Sequence, residues 1–141
     1  MRFWDSSALV PLVVQESSTS RVRRWMTEDD GVAVWTLTRV ELLSALARLR
    51  RDRPRAADQL LIARRELLDA WERWAEIAAV DVVRGYAERV VERHPLRAAD
   101  ALQIAAALVA SDGEPATLDF VTLDHAQADA AHREGFRVLG P

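Results

Sequence analysis

LRAADALQIAAAL (residues 96–108) and, after a polar interval, FVTLD (residues 120–124) decide how the chain folds. The first stretch, extended to Ala110, is so apolar that a helix over 97–110 must be buried on most sides. The second is a short apolar strand that ends on an acid. A helix buried all round that feeds a short buried strand belongs to a sheet covered on both faces.

Outward from this unit the same alternation recurs. Phe3-Trp4 reads as a strand ending at Asp5, 32–35 as a second, 77–80 as a third, 120–123 as the fourth and 136–139 as the last. Between them the spacing predicts helices over 8–14, with Pro11 early, and over 18–30, with Val22, Trp25 and Met26 on one face. A helix over 38–52 carries Val40, Leu43, Leu46, Ala47 and Leu49. Pro54 restarts a long helix to about Ala75, with Leu60, Leu61, Leu67, Leu68, Trp71 and Trp74 inward. These two should form a hairpin whose tip is 50–55. Helices over 82–93, stopped near His94-Pro95, and over 126–133, stopped by Gly135, complete the chain. The expected fold is a three-layer α/β/α sandwich around a central, mainly parallel sheet of about five strands. No repeat or linker interrupts it, so 1–141 reads as one domain.

In such a sheet, ligands bind at the carboxyl ends of the strands. Asp5 ends the first strand and Asp124 the fourth. Glu41 lies in the first turn of the helix after the second strand, and Asp100 in the first turn of the helix over 97–110. That helix feeds the fourth strand from below, so its start belongs at the same upper edge. Singly, each acid has a structural reading. Asp5 and Asp124 could be N-caps, Thr38 to Glu41 fits a T-x-x-E capping box, and Asp100 could complement a helix dipole. Together they are harder to explain, because like charges about 4 Å apart repel by roughly 4 kcal/mol at intermediate dielectric. A cation relieves that repulsion, and oxygen-only ligands select Mg²⁺ or Mn²⁺.

These stretches also resemble a known family. DSSALV (residues 5–10), the VE of Val40-Glu41, LRAADALQIAAAL and FVTLD look like the successive motifs of PIN domains, in order and spacing, and most like the VapC toxins. The resemblance covers essentially the whole chain. It implies metal-binding roles for Asp5, Glu41, Asp100 and Asp124, with Asp5 and Asp100 as direct ligands, and accessory hydroxyls at Ser7 and Thr122. It also implies metal-dependent hydrolysis of an RNA phosphodiester, a homodimer, and a VapB-type antitoxin gripping the helices near 13–25 and the 38–74 hairpin. The alternatives are a chromosomal RNA-processing PIN enzyme and a non-catalytic PIN-like scaffold that binds a partner; the hallmark of the latter would be a missing acid, and all four are present here. Asp119 competes with Asp124 for the fourth acid, but it precedes the strand and should sit at the lower edge.

Composition narrows the field. The chain has no Cys, so it has neither disulfides nor thiolate metal sites. All 19 of its basic residues are Arg. Receiver domains and Asp-nucleophile phosphatases share strand-end acids but need a Lys, which this chain lacks. The net charge of −3 disfavours a polyanion, but four of the 22 acids are assigned to one site, which leaves the rest of the surface near neutral. Arg21, Arg23, Arg24 and the 48–55 cluster, including Arg50, Arg51, Arg53 and Arg55, are the candidates for holding RNA. Trp25, Trp35, Trp71 and Trp74 do not interleave with Arg and read as core or as an interface. His94 reads as a cap or packing residue, His132 as solvated, and no general-base His, His125 included, is required. With Asp5 too early for a signal peptide and no long apolar run, a cytoplasmic protein without a membrane span is expected.

Overall fold

The computed structural model describes residues 1–141. Five strands, β1 (Arg2–Trp4), β2 (Val32–Trp35), β3 (Ala75–Ile77), β4 (Asp119–Val121) and β5 (Arg137–Leu139), form one sheet in the order β3-β2-β1-β4-β5. Every neighbouring pair is parallel. Seven helices surround it: α1 (Ser6–Val13), α2 (Thr19–Glu28), α3 (Thr38–Asp52), α4 (Ala57–Trp71), α5 (Val80–Arg93), α6 (Ala98–Ala110) and α7 (His125–Arg133).

The sheet is buried on both faces because its central strands carry large side chains on each. Trp4, Val32, Val34 and Val121 face one core, built with Leu9, Val22, Leu42, Leu60, Leu67 and Trp71 of α1 to α4. Phe3, Ala33, Trp35 and Phe120 face the other, built with residues of α5, α6 and α7. Phe3 stacks on Phe120 across the β1–β4 pair, with ring centroids 5.5 Å apart. The expected three-layer sandwich with a parallel sheet is therefore the fold of this chain. No helix is long and apolar enough to cross a membrane.

Helix α6 is buried from Ala101 to Leu108 on nearly every side, Leu102 excepted, as its composition requires. It closes with Asp112 and Gly113 at positive φ, 51° and 78°, and the Gly113 N–H donates to the Leu108 carbonyl at 2.9 Å. This left-handed turn satisfies an otherwise free helix-end carbonyl.

Several boundaries differ from the sequence reading. The third strand is Ala75–Ile77, not 77–80, and it is not apolar throughout: Glu76 lies within it, and Ala75 and Glu76 are exposed. The long second hairpin helix is shorter, since a 3₁₀ turn over Pro54–Ala56 precedes α4 and the helix stops at Trp71. Leu61 is exposed rather than inward. In α3 the buried side chains are Thr38, Leu42 and, as expected, Leu46, whereas Val40 is 63% exposed. The fourth strand begins at Asp119 and ends at Val121, so Thr122 and Asp124 follow it instead of lying at its end. Asp119 is the strand's first residue.

Candidate active site

Chain direction places the site. From β1 the chain goes to β2 on one side, while β4 flanks β1 on the other. The crevice beyond the carboxyl ends of β1 and β4 is thus a switch point, where open parallel sheets bind ligands. Asp5 follows β1 and the segment from Thr122 to Asp124 follows β4; the Asp5 N–H donates to the Val121 carbonyl at 2.9 Å, which locks the two together.

Asp5 is fully buried. Its Oδ2 accepts from the Ser7 N–H at 3.1 Å, from the Ser7 hydroxyl, and from the Thr122 hydroxyl at 3.1 Å. The two hydroxyls in turn accept backbone N–H groups, Leu123 on Ser7 at 2.9 Å and Asp124 on Thr122 at 3.0 Å. Ser7 and Thr122 therefore relay backbone dipoles onto one oxygen of Asp5. Its other oxygen, Oδ1, accepts the Gln127 side-chain amide at 3.2 Å. The same amide donates to Asp100 Oδ1 at 3.0 Å.

Glu41 approaches from α3. Its Oε2 accepts the Ser6 hydroxyl at 2.8 Å and its Oε1 the Gln103 amide at 3.1 Å, while Gln103 also donates to the Thr38 hydroxyl at 2.8 Å. Leu37, not Thr38, is the α3 N-cap, and it makes no side-chain cap bond, so the capping-box reading of Thr38 and Glu41 fails. Asp124 does cap α7, accepting the Gln127 N–H at 2.8 Å. Asp5 likewise caps α1. At both residues a helix cap coexists with a hydrogen bond to Gln127, through which they join Asp100.

Electrostatics ties the four together. Burial pushes the Glu41 carboxyl up, and the Asp5 and Asp100 charges push it further, against the Ser6 and Gln103 hydrogen bonds. Burial also raises Asp100, with Asp124 and Asp5 adding to it and Gln127 and Arg97 opposing. The hydrogen bonds that reach these carboxylates come from neutral amides and hydroxyls. Neutral donors orient carboxylates without repelling a cation. Two buried carbonyls, Oε1 of Gln103 and of Gln127, have no hydrogen-bond partner. Each such atom costs about 1–3 kcal/mol, which donation to charged acceptors offsets.

No three of these carboxylates converge closely enough to enclose an ion unaided. Mg²⁺ does not require that, because it keeps several of its waters and takes one or two carboxylates directly. An all-oxygen set in which one pair is bridged closely suits such an ion.

The remaining assignments divide. Asp119 lies at the opposite, amino-terminal edge, where it accepts from Arg2 Nε at 3.3 Å and from Arg137 Nε at 2.6 Å. Both guanidiniums hold its carboxyl below the ordinary range, the Arg137 hydrogen bond first. A groove of about 460 Å³ leads from Ser6, Ser7 and Glu41 along α3 to Ser44 and Arg48. Arg50 instead faces α4, beside Leu60 and Arg64. Arg51, Arg53 and Arg55 are exposed at the hairpin tip. Arg21, Arg23 and Arg24 are exposed on α2, with Arg21 over the Trp25 ring and Arg24 4.0 Å from Glu28. His94 is buried against Glu134 at 2.7 Å, a packing role as expected. Sequence reasoning missed Ser6, Thr38, Gln103 and Gln127. The one available signal was Gln103, a lone polar side chain inside the apolar run of α6.

The PIN domain family model matches residues 2–133. Ribonuclease VapC47 of Mycobacterium tuberculosis is 32% identical over 145 residues, covering 100% of this chain and 97% of that protein. Ribonuclease VapC45 of the same organism is 29% identical, covering 96% and 92%. Among solved structures, FitAcB from Neisseria gonorrhoeae superposes with a TM-score of 0.60 at 16% identity, covering 99% of this chain and 96% of that one, a likeness of fold. With its parallel sheet, its switch-point acids and full-length relatives of this kind, the chain belongs to the PIN-domain family, alongside the VapC ribonucleases.

Proposed function

We propose that the chain is a divalent-metal-dependent endoribonuclease, using Mg²⁺ or Mn²⁺, that hydrolyses RNA phosphodiester bonds. We further propose that it is the toxin half of a toxin–antitoxin pair, acting as a single domain in the cytoplasm. One observation carries the chemistry: acids from distant parts of the chain meet through shared neutral donors, Asp5, Asp100 and Asp124 through Gln127 and Asp5 and Glu41 through Ser6, and receive no charged hydrogen-bond donor. The relatives named ribonuclease VapC support the substrate and the antitoxin partner.

Asp5 and Asp100 would hold the cation directly, with Glu41 and Asp124 completing the site directly or through waters. When bound, the cation lowers the pKa of a water and offsets charge on the phosphate. The chain's own work is orientation. Ser7 and Thr122 fix Asp5, and Ser6 and Gln103 fix Glu41. Arg48, in the groove beyond Glu41, would donate hydrogen bonds to a flanking phosphate. A homodimer and an antitoxin on the α1–α4 side complete the reading.

End-labelled RNA incubated with the purified chain tests the chemistry. Cleavage is expected with Mg²⁺ or Mn²⁺, none with chelator, and none with Asp5→Asn or Asp100→Asn, each of which should remain folded. Cleavage in chelator, or undiminished cleavage by both variants, would end the metal-nuclease reading. For the toxin role, induced expression should arrest growth, and the product of an adjacent short reading frame should relieve the arrest.

A further inference from the structure

Gln127 contacts three of the four acids. Its side-chain amide donates to Asp5 Oδ1 at 3.2 Å and to Asp100 Oδ1 at 3.0 Å, and its backbone N–H donates to Asp124 Oδ1 at 2.8 Å. We infer that Gln127 is a positioning residue of the metal site, whose neutral amide clamps Asp5 and Asp100 at a separation one divalent cation can bridge. The inference rests on the metal-site reading above and adds to it a residue that carries no charge and no capacity for acid–base chemistry.

Three features carry it. The side chain is buried, at 3% exposure, so its position is set by packing and not by solvent. Its orientation is determined chemically: the reverse amide orientation would aim a carbonyl at two carboxylates, whereas the observed one leaves that carbonyl without a partner. A side chain chosen for packing alone, such as Leu or Met, would fill the same volume without stranding an acceptor. The third feature is what remains open. Asp100 Oδ2 receives no hydrogen bond within the protein, and Asp124 uses only Oδ1, while Asp5 Oδ2 is saturated by Ser7 and Thr122. The clamp thus occupies one oxygen of Asp100 and leaves the other to a ligand.

An Arg or Lys in this place would also hold the two carboxylates, but its charge would oppose a cation. An amide holds them without that opposition. Gln103 treats Glu41 in the same manner from α6, so both glutamines act on the site as uncharged donors.

The test is Mn²⁺ binding, measured by titration calorimetry on the metal-free protein, for wild type, Gln127→Leu, Gln127→Met and Asp100→Asn. The clamp predicts that both Gln127 variants bind Mn²⁺ about 10- to 100-fold more weakly. It also predicts that they cleave RNA with reduced kcat at unchanged KM, with circular dichroism as for wild type. A packing role alone would lower the melting temperature and leave Mn²⁺ affinity where it was. Wild-type or tighter affinity in the Gln127 variants, alongside loss in Asp100→Asn, overturns this inference and leaves the metal site standing. No Mn²⁺ binding by wild type overturns the metal site itself. If neither Gln127 variant folds, the ¹⁵N side-chain amide resonance of Gln127 in the wild type decides. It should shift when Mg²⁺ is added, and an unmoved resonance overturns the clamp.

Discussion

Asp119 begins the short strand β4 and Asp124 follows it, so the two lie at opposite edges of the sheet. Asp124 caps α7 next to Asp100, whereas Asp119 joins Arg2 and Arg137 below. Asp124→Ser keeps a capping oxygen but removes the carboxylate, so the helix should survive. Cleavage should fall at least about tenfold, within the range seen when support of a metal site is lost. Asp119→Ala should leave kcat unchanged and cost about 1–3 kcal/mol of stability, because it removes the partner of the buried Arg2 Nε–H, while Glu28 and the Trp25 carbonyl still hold the other two guanidinium nitrogens. Its pH signature is distinct. The folded carboxyl of Asp119 is lowered from 3.8, so its contribution is present above that value and is lost as pH falls through the lower folded value. The stability gap between wild type and Asp119→Ala should therefore close in acid, as urea titrations at several pH values would show. A sharp loss of activity in Asp119→Ala would instead place the fourth acid at the wrong edge. At this scale the acids were legible, Asp5 and Asp124 because each follows an apolar run that marks a strand, Glu41 and Asp100 because each falls in the first turn of a helix. Gln127 was not. It stands on a polar helix, and nothing in spacing tells a capped N–H from a side chain turned inward onto two carboxylates.

Helix α3 lays Glu41, Ala45 and Arg48 along one side, facing the groove, and this separates Arg48 from the rest of its cluster. Seven residues of helix span about 10 Å, one or two nucleotides of an extended strand. Arg48→Ala should therefore weaken binding of a short RNA and reduce the salt slope by about one phosphate contact. Replacing Arg50, Arg51, Arg53 and Arg55 together should matter only for longer RNA, since Arg50 faces α4 and the others lie at the tip. Filter binding on short and long RNAs at several salt concentrations separates these. Equal loss from both sets on the short RNA would refute the groove as the path. The sequence reading treated the cluster as one unit, since helical facing cannot be assigned until the buried stripe is known. That stripe was partly misplaced: Leu46 is buried as expected, but apolar Val40 faces solvent and Leu42, outside the expected stripe, enters the core. The third strand slipped for a related reason. Apolar residues favour 77–80, but the backbone ladder to β2 pairs Ala33 with Ala75 and Trp35 with Ile77. Glu76 is accommodated there because the strand is at the sheet edge, where its side chain reaches the Trp71 indole N–H at 3.1 Å.

At the scale of the molecule, alternating apolar strands and helices made the sandwich legible. What composition could not reveal is that the folded state carries a site working against its own stability. Glu41 and Asp100 sit above their ordinary values of 4.5 and 3.8, so the metal-free fold binds protons more tightly than the unfolded chain does. Stability of the metal-free protein should then rise as pH falls through the raised folded values toward 4.5 and 3.8, since the folded state gains the protons first. Below them the trend reverses, because Asp119 and Asp29 are lowered and lose their partners' benefit on protonation. The metal-free protein should thus be most stable in weak acid. A divalent cation bound to the ionised carboxylates stabilises only the folded state, and more so as pH rises. Saturating Mg²⁺ should therefore move the maximum toward neutral pH. Asp100→Asn should flatten the neutral limb in chelator and lose most of the Mg²⁺ response, because both effects pass through that carboxyl. Scanning calorimetry from about pH 4 to about pH 8, with chelator or Mg²⁺, measures all four curves. A metal-free melting temperature that climbs steadily up to neutral pH, unaltered by Asp100→Asn, would show that neither burial nor the neighbouring acids disfavour the ionised carboxylates in the fold, and the case for a cation between them would lose its electrostatic basis.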